Sequence, residues 1–468
     1  MNFTELLLLC GFNFKQMKKT NLLFLALALL FATYSCQPKS ETKPERCNVN
    51  HPEWVSDAVI YEVNVRQYTK EGTFAAFGNY LPQLKELGVN TLWFMPIHPI
   101  SELNRKGTLG SYYAIADYKG INPEFGTHDD FRQLVEKAHE MGFKVIIDWV
   151  ANHTGWDNVW IAEHPEWYAV DSLGNLIAPY DWTDVAKLNY DNNDMRAAML
   201  DAMKYWVSDF NIDGFRCDVA YEVPTDFWEN ARVELDKIKP VFMLAESEKP
   251  ELLDFAFDAD YGWELMHLMN SIAKGEKNAN DIYNYLLKTD TITCPDALKM
   301  NFITNHDENS WSGTEYERYG AGVETFAVLT YTLNGIPLIY SGQEVGLQKR
   351  LEFFEKDPIL SWEKNDTFTF YQQLNQLKNG YSSLHTGIKG GKVERINTSD
   401  NERLFFFKRS TGNEEIVVLL NLSGETVDFA ADIDLSEGAY TNYFEKNEGI
   451  MPIQMKPWEY KVLVKREK

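Results

Sequence analysis

The sequence predicts a (β/α)8 TIM-type barrel with a short inserted domain after its third strand, followed by a C-terminal antiparallel β-sandwich domain. Three observations predict it. From residue 58 to about residue 380, short apolar runs alternate with segments of helical periodicity. The apolar runs are continuous rather than alternating, as in parallel strands buried on both faces. After residue 385 the pattern changes to short β-type runs separated by turn signals. Eight β-then-α units in series indicate a closed barrel. An open doubly wound sheet has the same periodicity, but no Gly-rich phosphate turn follows the first strand.

Ala58–Val65, rich in Val, Ile and Tyr, reads as the first strand. Phe74, Phe77, Leu81, Leu84 and Leu87 then repeat at helical spacing, with Pro82 opening or kinking that helix. Asn90–Met95 is the second strand. Thr127–Met141 reads as a helix: Thr127 is the N-cap, with Asp130 three residues on. Phe131, Leu134, Val135, Ala138 and Met141 line one face, and Gly142 closes it. Phe143–Val150 is the third strand. Helix 194–209 precedes strand 212–217, and helix 226–237 precedes strand 241–246. A weak strand lies near 254–258, followed by strand 299–304, helix 322–333, strand 336–340 and helix 367–379. Asn152–Asp191, rich in Trp, His, Asp and Pro, separates the third strand from the next helix. A connection that long inside a compact domain points to function. The C-terminal runs are Leu404–Lys408, Glu415–Asn421, Val427–Phe429, Ala439–Tyr443 and Tyr460–Lys465, with a turn signal at Asn421-Leu422-Ser423-Gly424.

With 468 residues, 44% of them apolar, the chain can bury a large core without disulfide staples or structural metal. Its 45 Lys+Arg against 69 Asp+Glu give a net charge of −24. That balance repels polyanions and no long basic run offsets it, so nucleic acid is excluded as a partner. The 13 Trp, 24 Tyr and 28 Phe supply flat rings that suit the apolar faces of sugars, although a large aromatic core takes most of them.

Met17-Lys18-Lys19 precedes the apolar run Leu22–Phe31 and then Ala32-Thr33-Tyr34-Ser35-Cys36. A positive region, an apolar stretch too short to span a bilayer and small residues at its end describe an export signal. Ending at a cysteine, the segment resembles a bacterial lipoprotein signal. The resemblance implies Cys36 as the acylated first residue of a membrane-anchored protein facing the periplasm or the cell surface. An ordinary cleaved secretion signal is the alternative. Residues 1–16 then read as an over-extended start and 37–50 as a polar tether. The barrel spans 51–384, with its insertion at about 152–191, and the C-terminal domain spans 385–468. Cys47, Cys217 and Cys294 are odd in number and widely spaced, which predicts neither a zinc site nor a disulfide framework.

Chemistry in such a barrel sits where strands end at the C-terminal face. The third strand ends Asp148-Trp149-Val150-Ala151-Asn152-His153, the fourth Gly214-Phe215-Arg216-Cys217-Asp218, and the fifth Leu244-Ala245-Glu246. The seventh ends Asn305-His306-Asp307. A lone carboxylate there is most often a cap or a surface group. Acids at four strand ends on one face point to a site. Arg216 and Asp218, two apart on a strand, share one face, while Cys217 takes the other. A guanidinium beside a carboxylate lowers its pKa and keeps it ionised, which suits a nucleophile. Glu246 follows the apolar run Val241–Ala245, where burial favours the protonated form that a general acid needs. One carboxylate held charged and another held protonated is the division of labour of glycoside hydrolysis. A purely structural Arg216–Asp218 ion pair leaves Glu246 and Asp307 unexplained.

With these four motifs in this order, the stretch from about residue 54 to 468 resembles the α-amylase family, glycoside hydrolase family 13. The resemblance implies Asp218 as nucleophile, Glu246 as general acid/base and Asp307 as the third carboxylate. It implies Arg216 as the group orienting Asp218, supported by Asp148, with His153 and His306 binding sugar hydroxyls. Tyr113, in Gly110-Ser111-Tyr112-Tyr113, matches the tyrosine on which the sugar stacks. Two departures carry meaning. Where many members have an Asp ligand for a structural calcium, Val185-Ala186-Lys187-Leu188-Asn189 places Lys187, and an ammonium cannot ligate a cation. Asn152 remains as a candidate calcium ligand. This fifth motif is similar to the neopullulanase and cyclomaltodextrinase branch. The second motif has Tyr221-Glu222 where the family usually has Lys-His.

The implied activity is retaining hydrolysis of α-1,4-glucosidic bonds in starch, maltodextrins or related α-glucans, with α-1,6 bonds also within reach and no cofactor required for the chemistry. Two rivals use the same residues: a transglycosidase, and a non-catalytic glucan-binding lipoprotein, which would ordinarily have lost one of the three acids.

Overall fold

The computed structural model describes residues 49–465, except 434, 436–439, 448 and 450–451. The leader with Cys36 and the tether up to residue 48 lie outside the described residues. Residues 47–468 form one compact unit.

The core of that unit is a closed barrel of eight parallel strands. In chain order they are β1 (Ile60–Val63), β2 (Thr91–Phe94) and β3 (Lys144–Val150), then, past the two insert strands, β6 (Gly214–Asp218), β7 (Phe242–Ala245), β8 (Ala259–Tyr261), β9 (Leu298–Asn301) and β10 (Ile336–Tyr340). They run round the barrel in that order, and β10 closes on β1 through Ile60↔Leu338 and Glu62↔Tyr340. The insert strands β4 (His153–Gly155) and β5 (Val185–Lys187) form a separate antiparallel ribbon, with His153 opposite Lys187.

Local chemistry accounts for the elements. Helix 128–140 begins with a capping box in which Thr127 and Asp130 satisfy each other's backbone N–H groups. Pro82 sits in the first turn of helix 81–87, where a missing N–H costs nothing, and Gly88 closes that helix at φ +95°. Gly214 begins β6 at φ +154°, and a Cβ there would lie 1.9 Å from Phe242 O. Only glycine lets β6 approach β7 this closely.

Two strand boundaries differ from the sequence reading. Residues 252–255 are helical, and the sixth barrel strand is Ala259–Tyr261 rather than 254–258. Its apolar run is interrupted by Asp258 and Asp260, whose burial the composition disguises. The seventh strand ends at Asn301, so Asn305-His306-Asp307 lies on the turn leading into a π-helical segment, Glu308–Ser312. Such segments are frequent at functional sites.

The C-terminal domain is a five-stranded antiparallel sheet layered with a two-stranded ribbon. The sheet order is β11 (Glu394–Ile396), β12 (Leu404–Thr411), β13 (Glu414–Asn421), β17 (Tyr460–Lys465) and β15 (Tyr440–Asn442). The ribbon pairs β14 (Val427–Asp428) with β16 (Gln454–Met455). Alternation divides the sheet's faces. Phe405, Phe407, Ile416, Val418 and Leu420 join the barrel's core, whereas Leu404, Phe406, Val417 and Leu419 pack with Val427 and Met455 of the ribbon. Cys294 is disulfide-bonded, where the cysteine spacing predicted no disulfide framework, while Cys217 is free and buried.

Candidate active site

The barrel register brings the expected residues together. Asp148 on β3 lies opposite Arg216 on β6, and Val150 lies opposite Asp218. Arg216 is fully buried and serves as the hub. Its Nη1 donates to Asp148 Oδ1 at 2.8 Å and to Asp218 Oδ1 at 3.1 Å. Its Nη2 lies 2.8 Å from Glu246 Oε2, an ion-pair contact without hydrogen-bond alignment. Its Nε donates to the Tyr261 hydroxyl at 2.9 Å. One planar cation thus sets the positions of three acids.

The turn after Asp218 adds a second constraint. Val219 has φ +44°, a left-handed conformation that a β-branched residue rarely adopts. That turn aims the Val219 N–H at Glu246 Oε2, 2.9 Å away. The nucleophile strand and the acid strand are therefore tied together through backbone as well as through Arg216.

Around this hub lies a cavity of about 460 Å³, lined by Tyr113, His153, Asp218, Glu246 and Asp307 among others. Tyr113 donates from its hydroxyl to Asp148 Oδ2 at 3.0 Å, and its hydroxyl is 2.8 Å from His306 Nε2. Asn152 Nδ2 lies 3.3 Å from His153 Nδ1. With the amide donating to Nδ1, the imidazole keeps its proton on Nε2. Burial, aided by Lys187, lowers the His153 pKa to about 3, so this ring is a neutral donor. Lys187 itself pairs with Glu222 at 3.2 Å, and Glu222 also accepts from the Tyr180 hydroxyl. Of the four insert tryptophans, Trp182 lines the cavity. Trp160 and Trp167 pack on each other, and Trp156 donates to Thr183 O at 2.9 Å.

The electrostatics are those of a crowded acid cluster. Glu62, Asp148, Asp218, Glu246 and Asp307 outnumber the cations Arg216 and His306. Burial pushes the Asp218 carboxyl well above its ordinary range; Arg216 pulls it down, and Glu246, Asp148 and Asp307 push it up. The guanidinium alone therefore does not set the Asp218 charge, as the sequence reading supposed. Asp148 is raised by burial against the pull of Arg216. Asp307 behaves oppositely: although burial opposes its charge, His306 and Arg216 hold it below its usual value. Like-charged neighbours this close titrate as a unit, and the cluster retains a proton that free carboxylates would lose.

Sequence reasoning missed three members of the site. Glu62 on β1 is fully buried and bonds His306 Nδ1. Tyr261 on β8 holds Arg216 Nε, and Trp93 on β2 donates to Asp148 Oδ2 at 3.3 Å. A carboxylate inside the apolar run Ile60–Val63 was the available signal for Glu62.

A buried guanidinium shared by acids at the mouth of a (β/α)8 barrel, beside a cavity of about 460 Å³, is an arrangement compatible with two-carboxylate glycosidase chemistry. Comparison with known proteins supplies the family. The α-amylase catalytic-domain model matches residues 62–175 and 179–380. The chain is 29% identical over 403 residues to the α-amylase MalA of Haloarcula japonica, covering 82% of this chain but 58% of that protein. The chain thus spans less than two thirds of that relative's length. It is 26% identical over 431 residues to a cyclomaltodextrinase from a Bacillus species, covering 79% of this chain and 73% of that one. Among solved structures, a noncanonic maltogenic α-amylase, AmyB from Thermotoga neapolitana, superposes with a TM-score of 0.80 at 30% identity, covering 88% of this chain and 99% of that one. An α-amylase from Lactobacillus plantarum gives 0.79 at 31% identity, with the same coverage. The chain belongs to the α-amylase family.

The His306 ring provides a direct check on these electrostatics. Burial works against its positive charge, but Asp307 and Glu62 outweigh it and hold the pKa well above the ordinary value. A folded pKa raised in this way contributes stability below the ordinary value of 6.5, and that stability is lost as pH rises through the folded pKa. NMR of the ring nitrogens should find His306 doubly protonated at neutral pH, with the Glu62→Gln variant titrating at lower pH. A neutral ring in the wild type at pH 7 would contradict the arrangement.

Proposed function

We propose that the protein hydrolyses α-1,4-glucosidic bonds in maltodextrins, starch or related α-glucans with retention of configuration. The observation that carries this reading is the shared guanidinium: Arg216 contacts both Asp218 and Glu246, and both acids line one cavity with Asp307. Carboxyls within reach of a single guanidinium suit the separation of about 5–5.5 Å used in retaining chemistry, rather than the wider gap that admits a water in inverting enzymes.

The steps follow from the contacts. Asp218 Oδ1 is held by Arg216, while its Oδ2 is buried without a hydrogen-bond partner and is the oxygen free to attack the anomeric carbon. Glu246, as general acid, protonates the glycosidic oxygen, and the leaving sugar departs as an alcohol. A new C1–O bond to Asp218 replaces the glycosidic bond. Water then attacks C1 as Glu246 takes its proton, and the Asp218 carboxylate is released. Asp307, held ionised, binds ring hydroxyls and faces the positive charge that develops on the ring. Tyr113 offers its ring to the apolar face of the sugar under attack.

Replacement of Asp218 by Asn should lower kcat by several orders of magnitude with the fold retained. Wild-type enzyme should convert maltotriose to glucose and maltose, with new ends released in the α configuration. Near-normal turnover in Asp218→Asn, or β-configured products, would contradict the mechanism. Oligomers longer than the substrate would favour the transferase reading.

We infer further that the usual calcium position is not used. Lys187 puts an ammonium where the family's Asp ligand stands, and it is engaged by Glu222. No set of three or more His, Cys, Asp or Glu suited to a metal occurs among the described residues. EDTA should leave Tm and kcat unchanged; a loss reversed by calcium would overturn this.

The leader supports an exported lipoprotein anchored through Cys36. A disulfide at Cys294 fits the same oxidising surroundings. Labelled palmitate should enter the wild-type protein in cells and not the Cys36→Ala variant; equal labelling of both would refute the anchor.

A further inference from the structure

The cavity has a built wall on one side. Lys106, in the loop 102–110 that follows β2, places Nζ 2.9 Å from Asp184 Oδ1 in the insert, and both side chains line the cavity. The same loop is fastened at its other end to the segment after β10. Leu109 N donates to Phe354 O at 3.0 Å, and Thr108 N donates to Glu355 Oε1 at 2.9 Å. Insert, loop and post-β10 segment are thereby joined in one rim.

This rim is held from beneath as well as end to end. Arg66, buried just after β1, donates to Gly110 O at 3.1 Å, Leu109 O at 3.3 Å and Phe353 O at 3.3 Å, clamping both walls with one side chain. Its guanidinium also sits 4.1 Å from the centre of the Tyr112 ring. Asp157 Oδ2 accepts from the backbone N–H groups of Glu102 and Leu103 at 2.8 and 3.1 Å. Gly107, at φ +64°, has no room for a side chain: a Cβ would lie 2.5 Å from Phe354 Cβ. So many fixed hydrogen bonds describe a static wall, not a lid.

Its side of the cavity follows from the ring contacts. Phe353 lies 6.3 Å from Tyr113 and 6.5 Å from His306, centre to centre, and Trp311 lies 5.3 Å from Phe353. The wall thus stands behind the platform for the sugar under attack. Glu246, which protonates the leaving oxygen, accepts from the Val219 N–H at 2.9 Å and lies near Tyr221. Protonation by Glu246 releases the reducing-end part of a glucan, so the retained, non-reducing part extends from the opposite end of the sugar on Tyr113.

We propose that this wall makes the cavity a dead end on the non-reducing side, so that the enzyme works inward from non-reducing chain ends and releases short products of fixed length. The Lys106–Asp184 pair is the specificity-determining contact. The inference rests on the glucan-hydrolase reading above. A cavity of about 460 Å³ agrees with a site for a small ligand rather than a groove for a through-running polymer.

The test compares maltoheptaose with the same oligomer carrying a 4,6-O-ethylidene cap on its non-reducing glucose, with initial rates read from new reducing ends and products read by chromatography. Wild-type enzyme should cleave the capped oligomer about tenfold or more slowly than the free one. It should release one short product from the free oligomer at early times. Lys106→Ala and Asp184→Ala should each narrow that ratio and broaden the product range, with circular dichroism confirming an intact fold. Equal rates on both oligomers with wild type, or variants whose ratio is unchanged, would overturn the proposal. Cleavage of neither oligomer would instead remove the hydrolase reading, and this inference with it.

Discussion

The arrangement depends on one buried cation. Arg216 has no exposure to solvent, and a bare guanidinium in that position would be prohibitively costly to fold around. Its charge is tolerated because Asp148, Asp218 and Glu246 surround it, and those acids are positioned because the cation is there. Tyr261 takes the remaining Nε–H, while the rings of Trp93 and Tyr113 lie 5.2 and 5.7 Å away, bounding the pocket with apolar walls. Neither partner in this set is stable in place without the other. Pairing of that kind gives a rigid site more than it gives net stability.

Charge imbalance in the cluster turns that rigidity into chemistry. More carboxyls than cations converge there, so one proton is retained where isolated acids would all ionise. His306 strengthens the asymmetry. Held cationic between Glu62 and Asp307, it keeps Asp307 ionised on one flank of the cavity while Asp218 and Glu246 compete for Arg216 on the other. The strained Val219 turn is consistent with this division: an unfavourable backbone angle is maintained where it delivers an N–H to Glu246.

Much of this was legible in the sequence. Asp148, Arg216, Asp218, Glu246 and Asp307 stand at the ends of apolar runs, and the period-2 rule already placed Arg216 and Asp218 on one face. The helix at 128–140 was readable from its cap and its apolar stripe. Other parts depend on contacts that no local pattern encodes. Glu62 meets His306 across 244 positions of chain, and Arg216 finds Tyr261 on a strand whose short apolar run was misplaced. The net direction of the Asp218 shift depends on how many acids share the pocket, which spacing along one strand cannot reveal. The wall from Asp184 to Glu355 is likewise a product of three loops brought together only by barrel closure.

The central claim is that Arg216 gathers the acids so that Asp218 becomes the covalent nucleophile. The most direct measurement is mass spectrometry of the enzyme after reaction with a slow glycosyl fluoride bearing fluorine at the ring position that destabilises the transition state. The account predicts one added glycosyl group, carried on the peptide that contains Asp218 and absent in Asp218→Asn. Attachment to Glu246 or to Asp307, or turnover with no covalent adduct under any condition, would contradict it.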